Sequence, residues 1–299
     1  MNLVNGLGIV AACALSCAAV AALDAHRAPA PAIAPGAEVV TDQRGRTVAV
    51  RPWARIASLA MTADAALLAT CEPDRVVCWS AFTTGPEAFR LAGKPRLRGL
   101  EDLEAVIALA PDLVLVSTYG GEADRIERLR SAGLTVFELG PMEGLASLRR
   151  DFLQVGALVG QTRRAERAIA TLEDRMGRLA AHIPAAERPA ALYVAPIGEV
   201  LFGGTVGTSY HDVLCAAGLR DLAAERGLTG WPQLSLEQVL ALKPALLVTK
   251  TGAEDALRRL PGIDRLEARI VAVDADLLED PGPAMLAAAE ALHAAVFRR

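Results

Sequence analysis

The sequence predicts an α/β protein of two lobes, each a parallel sheet covered by helices, joined by one long helical spine. Three observations predict it. A fifteen-residue segment occurs twice, 133 positions apart: Leu103-Glu104-Ala105-Val106-Ile107-Ala108-Leu109-Ala110-Pro111-Asp112-Leu113-Val114-Leu115-Val116-Ser117 and Leu236-Glu237-Gln238-Val239-Leu240-Ala241-Leu242-Lys243-Pro244-Ala245-Leu246-Leu247-Val248-Thr249-Lys250, identical at seven positions. Strand-like and helix-like stretches alternate on either side of the middle of the chain, the pattern of helix-covered parallel sheets. Between them, apolar residues recur at helical steps for some twenty positions, roughly 30 Å of helix.

The chain has 299 residues, enough for two cores of roughly 100–150 residues each. With 53% hydrophobic and 22% charged residues it has the composition of a folded protein. Its net charge of −4 and the absence of a Lys/Arg block exclude nucleic acid as a partner, because phosphate neutralisation requires clustered cations.

The first 37 residues stand apart. Met1 to Leu23 carry no charge and read as a secretory signal or a membrane anchor, with Ala19-Val20-Ala21 as a cleavage site and Cys13 or Cys17 as candidates for lipid attachment. The Pro/Ala stretch from Ala28 to Pro35 reads as a tether. This places the protein outside the cytoplasm, in the periplasm or held to a membrane, where disulfides persist; Cys71 and Cys78, flanking a turn at Glu72-Pro73-Asp74, are the candidate pair.

Residues 38–143 form the first lobe. Ile56 to Leu59 and Val76 to Trp79 read as strands with a helix over Thr62 to Thr70 between them. Asp102 is the candidate N-cap of the first repeat helix, and Glu104 sits in its first turn, where the helix dipole favours negative charge. Pro111 ends that helix, and a charged helix over Glu122 to Ala132 stops at Gly133 before a strand over Leu134 to Phe137. Residues 144–184 form the spine: Leu148, Phe152, Val155 and Val159 share a face, and after Gly160 the stripe runs through Ala165, Ile169, Leu172, Met176 and Leu179 until Pro184.

Residues 185–299 form the second lobe. A strand spans Ala190 to Ala195 and a helix Ser209 to Ala217. The second repeat follows, with Ser235 as N-cap and Glu237 in the first turn; a strand over Arg269 to Val273 and a helix over Pro283 to Arg298 close the chain.

No catalytic centre or metal site emerges. His26, His182, His211 and His293 lie far apart in sequence, and HExxH, GxSxG and phosphate-loop motifs are absent. Tyr210-His211-Asp212 lacks a nucleophile, and Ser209 as a helix cap explains it equally well. The loop Gly203-Gly204-Thr205-Val206-Gly207 reads as a plain turn before a helix, with an anion site as the weaker reading. The scarce aromatics point to a cleft instead. Trp79, Phe82 and Tyr119 follow strands of the first lobe; Phe202 and Tyr210 flank the glycine loop; Trp231 precedes the second repeat. Ligands gather at the carboxyl ends of strands in α/β lobes, where such residues can wall an apolar cleft.

Several segments carry a family resemblance. Val40-Thr41-Asp42-Gln43-Arg44-Gly45-Arg46-Thr47-Val48 resembles an opening hairpin, Arg55-Ile56-Ala57-Ser58-Leu59 a first strand, the two repeats a signature present in both lobes, and Asp274-Ala275-Asp276-Leu277 with Pro281-Gly282-Pro283 a closing segment. Together, over about residues 38–298, they resemble the substrate-binding proteins of ABC importers for cobalamin, iron-siderophores and haem, the class with a rigid helix between its lobes. The resemblance implies a non-enzymatic monomer without a cofactor of its own. Such a protein captures a metal chelate, cobalamin or a ferric siderophore, between the lobes. It then docks on a transmembrane permease dimer, served by ATPase subunits, through one Glu per lobe, here Glu104 and Glu237. Trp231-Pro232-Gln233 is similar to the cobalamin branch, whose equivalent Trp lines the cleft. Trp79-Ser80-Ala81-Phe82-Thr83-Thr84 lacks the Tyr usual in haem binders, and the His clusters of zinc and manganese binders are absent. Arg90, Arg96, Arg98 and Arg226 are the cations available to an anionic siderophore. The alternatives are a haem-binding protein of the same class and a membrane-tethered chelate sensor that does not transport.

Overall fold

The computed structural model describes residues 38–84, 88–118, 121–198, 200–279 and 282–298. The leader, the tether and Tyr119 lie outside them, so the expected signal, lipid and tether segments and that one aromatic receive no structural account. Among the described residues no helix is long and apolar enough to cross a membrane.

An antiparallel hairpin, β1 (Val39–Thr41) and β2 (Thr47–Ala49), precedes the first sheet. That sheet contains β3 (Ile56–Ser58), β4 (Val76–Ser80), β5 (Arg96–Leu97), β6 (Leu113–Ser117) and β7 (Val136–Leu139), in the spatial order β5-β4-β3-β6-β7 and parallel throughout. Its helices are α1 (Met61–Thr70), α2 (Leu103–Ala108), the first repeat helix, and α3 (Ala123–Ser131). Residues of β6 alternate between two cores: Leu113 and Leu115 face the layer containing α1, whereas Val114 and Val116 face α2 and α3. A strand buried on both faces must be apolar throughout, which is why the repeat ends in a continuous apolar run.

The middle of the chain forms two helices, α4 (Leu145–Leu158) and α5 (Thr162–Ala181), broken at Gly160 with φ 73°. They pack closely on each other. A Cβ on Gly156 would lie 2.3 Å from the Ala165 Cβ, so only glycine permits this approach. The twenty residues of α5 bury Ala165, Ile169, Leu172 and Met176 and contact α1.

The second sheet holds β8 (Ala190–Tyr193), β11 (Arg220–Asp221), β13 (Leu246–Lys250) and β14 (Arg269–Val273), in the order β11-β8-β13-β14 and again parallel. A small antiparallel sheet of β9 (Ala195–Ile197), β10 (Val200–Phe202) and β12 (Gln233–Leu234) flanks it. The β/α alternation did not predict this sheet, because its strands are two or three residues long and too short for a period to register. The helices of this half are α6 (Ser209–Ala216), α7 (Leu222–Glu225), α8 (Leu236–Leu242), α9 (Glu254–Arg258), α10 (Ala275–Leu278) and α11 (Ala284–Phe297). Helix α5 also contacts α6 and α11, so one helix packs against both lobes.

The two repeat units keep a shared backbone. Ala110 and Lys243, equivalent residues before the two prolines, both adopt left-handed φ, 43° and 49°. Proline disfavours the right-handed helical region for its predecessor, so the helix exits through a conformation that costs a non-glycine residue about 1 kcal/mol. In the first copy the Arg55 guanidinium compensates by donating to the Leu109 and Ala110 carbonyls.

Two sequence expectations fail here. Asp102 does not cap α2: its carboxylate accepts from the Arg98 backbone N–H at 2.7 Å and the Arg98 guanidinium at 2.8 Å. A 3₁₀ turn over Gly99–Asp102 leads into the helix and turns that side chain away. Ser235, by contrast, caps α8 in a reciprocal box with Gln238. Cys71 and Cys78 are free thiols. Cys71 packs in the core facing α1 and Cys78 in the core facing α2 and α3, so the sheet separates them.

The tight α4–α5 contact sets a clear expectation. Gly156→Val should destabilise the fold by about 1–3 kcal/mol through overpacking. Gly177→Ala, at an open site on α5 with nothing within 4 Å, should stabilise it by about 0.5–1 kcal/mol. Urea unfolding of both variants checks the pair.

Candidate functional site

In a parallel sheet whose strand order reverses, the loops diverge at the carboxyl edge and leave a crevice. The first sheet reverses between β3 and β6, and a cavity of about 430 Å³ lies there. Its walls include Leu59 and Ala60 after β3, Met61 and Thr62 at the start of α1, Ser80 and Phe82 at the end of β4, and Val116 and Ser117 at the end of β6. Arg98, Glu101, Glu122 and Arg125 place charges of both signs around it, with Met142 as an apolar wall. One further residue, Glu279, comes from the second half, just after α10.

Glu279 ties this cavity to an aromatic cluster. Its negative charge, after burial, the larger cause for both, pushes the Tyr193 and Tyr210 phenols up and disfavours their ionisation. Both therefore remain neutral hydrogen-bonding groups at neutral pH. Tyr193 ends β8, its ring centroid 4.0 Å from that of Tyr210; Trp231 meets Tyr210 edge-on at 4.9 Å. The glycine loop makes room for this stack: a Cβ on Gly204 would lie 3.0 Å from the Tyr210 ring and 3.2 Å from Tyr193, and one on Gly203 would lie 3.2 Å from Pro232. The Gly203 N–H donates to the Pro232 carbonyl at 2.8 Å. The loop's small residues thus serve ring packing. Lys250, at the end of β13, pairs with Glu279 at 2.7 Å, and the Thr84 hydroxyl reaches the Asp276 carbonyl across the two halves at 3.4 Å.

The expected aromatics divide. Trp231 is 53% exposed and Phe82 60%, and Phe82 lines the cavity. Phe202 is half-buried on β10, between β9 and β12. Tyr210 is buried at the base of the stack. Trp79 is not a cleft residue: it is 5% exposed in the core, its indole N–H donates to the Lys94 carbonyl, and Arg96 covers its ring at 4.9 Å. Of the four arginines singled out, only Arg98 lines the cavity. Arg90 donates to the Leu68 carbonyl and Arg96 to that of Ala81. Sequence reading missed Glu279, which lies in an acidic turn of no distinctive pattern, and Tyr193. As the last residue of an apolar strand, Tyr193 was open to the carboxyl-end argument used for Trp79.

Glu104 and Glu237 are both exposed, in the first turns of α2 and α8. The Glu237 carboxyl lies below the usual range because its own backbone N–H and the Ser235 hydroxyl stabilise the charge.

The model of the periplasmic binding protein family matches residues 56–293, and the chain belongs to that family. It is 25% identical over 242 residues to a vitamin B12-binding protein of Photorhabdus laumondii, covering 80% of this chain and 86% of the relative. An uncharacterized ABC transporter substrate-binding lipoprotein of Bacillus subtilis is 26% identical over 207 residues, covering 66% of this chain and 65% of that protein. Among solved structures, a periplasmic haem-binding protein of Pseudomonas aeruginosa superposes with a TM-score of 0.68 at 26% identity, over 82% of this chain and 93% of that one.

The division between core and cleft aromatics is measurable. Trp79→Ala should cost about 3–5 kcal/mol of stability. Phe82→Ala should change it by less than about 0.5 kcal/mol, as exposed side chains do. Thermal and urea unfolding of the two variants distinguish them.

Proposed function

We propose that this protein is the substrate-binding component of an ABC importer. It holds a metal chelate, cobalamin first among the candidates, between its lobes and hands it to a membrane permease without transforming it. Residues 38–143 and 185–299 serve as the lobes and 144–184 as the spine. The observation that carries the reading is the crevice at the strand-order reversal of the first sheet, joined through Glu279 to the Tyr193–Tyr210–Trp231 stack of the second. A cavity of about 430 Å³ accommodates part of a large chelate. The exposed faces of Phe82 and Trp231 offer apolar surface for the rest. Family membership and the vitamin B12-binding relatives support the same reading. The uncharged leader and the lipoprotein relative support export and tethering outside the cytoplasm. Similarity to a haem-binding structure makes haem the second ligand to test.

Titration of the purified protein with cyanocobalamin, followed by Trp fluorescence and calorimetry, should give saturable one-to-one binding. Trp231→Ala should weaken it about tenfold or more, the loss of one aromatic anchor. No response to cobalamin, with saturable binding of haem or a ferric siderophore, would overturn the cobalamin choice.

The docking role of the two glutamates has its own test. Two carboxylates fixed on separate lobes suit a pair of arginines on a two-fold permease. Reversing both, Glu104→Arg with Glu237→Arg, should abolish uptake in cells and leave ligand affinity unchanged. Intact uptake in the double variant would remove the assignment.

A further inference from the structure

Helix α6 carries a second polar constellation, removed from the ring stack at its N-terminus. The His211 Nδ1 lies 2.8 Å from the Asp221 Oδ2. The Cys215 Sγ, one helical turn along, lies 3.7 Å from Nε2 and 4.0 Å from Nδ1 of the same ring. Asp221 is itself fixed: its carboxylate accepts from the Thr205 hydroxyl at 2.7 Å and from the Ala223 and Ala224 backbone N–H groups at 3.0 and 3.2 Å. Asp212, adjacent in sequence, is not the partner of His211; it accepts from the Leu145 N–H at 2.6 Å. Tyr210-His211-Asp212 therefore misdirects a sequence reading: the nucleophile lies four residues on and the carboxylate ten.

The chemistry of the three groups is directional. A carboxylate on Nδ1 favours the protonated ring, and an imidazolium beside a sulfur favours its thiolate. The Cys215 sulfur sits beside this ring. Asp221 first, then Cys215, push the His211 imidazole up to about 10, so the ring holds a proton readily at neutral pH. Burial holds the Asp221 side chain at 1% exposure, while His211 is 28% exposed and Cys215 half-buried. The other two thiols among the described residues are buried, and burial pushes Cys71 up and Cys78 up to about 12.

We propose that Cys215 is a histidine-activated thiol that exchanges with small disulfides. In this step the thiol releases its proton to solvent, the thiolate is held beside the His211 imidazolium, and the sulfur attacks one sulfur of the small disulfide. A protein–S–S–R bond forms as the R–S–S–R bond breaks. The leaving sulfur departs with the electron pair and takes a proton from solvent. One thiol is consumed and one released, with no other reactant. Asp221 acts as a positioning residue, through the ring. The site takes a low-molecular-weight disulfide, and the reaction does not depend on which ligand the cleft holds.

The test uses the full chain at neutral pH with dithiobisnitrobenzoate and, separately, glutathione disulfide, mapping each thiol by peptide mass. Cys215 should react first, at a rate about tenfold or more above that of the same residue in the urea-unfolded chain, since activation requires the folded arrangement. Cys71 and Cys78 should remain unmodified until unfolding. His211→Gln should bring the Cys215 rate down to the unfolded value or below, with the circular dichroism spectrum unchanged. A folded-state rate no greater than the unfolded one overturns the proposal without recourse to any variant. So does a rate that His211→Gln, still folded, leaves unaltered.

Discussion

One continuous apolar core runs through both lobes, and the cleft depends on it. The face of the first sheet carrying Leu113, Leu115, Phe137 and Leu139 and the face of the second carrying Ala191, Tyr193, Leu246 and Val248 both bury into a single cluster, completed by Ile169, Leu172 and Met176 of α5. Burial of apolar surface is the dominant favourable term in folding, so separating the lobes along this seam would cost far more than opening a flexible linker. Polar ties fix the same junction. Asp212 of α6 accepts from the Leu145 N–H at the start of α4, and a Cβ at Gly144 would fall 2.2 Å from its carboxylate. Arg164 near the start of α5 pairs with Glu72 of the first lobe, and Arg175 further along pairs with Glu290 of the second. Those exposed pairs are each worth little; the shared core supplies the rigidity.

A rigid seam changes what ligand capture can involve. Hinged binding proteins close by rotating lobes about a few residues, whereas a protein with a common core can change chiefly through side chains and loops. Phe82 in the crevice wall and Trp231, edge-on to Tyr210, keep most of their surface in solvent, and Glu279 lines the crevice with Lys250 as its partner. The buried rings of Tyr193 and Tyr210 stack on each other, one at the end of β8 and the other in the first turn of α6.

The sequence made the architecture legible because its signals are long. Two fifteen-residue repeats and a twenty-residue helical stripe exceed the reach of accidental patterning, and each corresponds to an element in the fold. The site was less legible because its signals are single residues. Trp79, within β4, and Phe82, just past its end, lie three positions apart, yet one ring turns into the core beneath Arg96 and the other into solvent. Trp79 pairs with Arg96 of β5, and a two-residue strand leaves no period to read. Asp102 failed as a cap for a similar reason: Arg98, four residues earlier, competes for the carboxylate, and a charge-assisted bond prevails over a cap. Cys71 and Cys78 are near in sequence and on opposite sides of a sheet, a relation that spacing alone does not reveal. Asp221 and His211 show the converse, ten residues apart and in contact because α6 and β11 are joined by a tight turn at Gly218 with φ 83°.

The repeat itself explains why the two exposed glutamates correspond. In each copy the helix starts beside a Leu-Glu pair, ends at a left-handed residue before proline and continues into a strand buried on both faces. Those constraints fix the helix start relative to the sheet, so Glu104 and Glu237 project from equivalent places in the two lobes. The copies differ in how the helix start is held. Ser235 and Gln238 close a capping box around Glu237, and the local N–H and hydroxyl donors keep its carboxyl ionised. At the first copy Arg98 draws Asp102 aside, leaving the N-terminus of α2 without a side-chain cap next to Glu104. The two glutamates are thus equivalent in the fold and differ in how the helix start beside each is held.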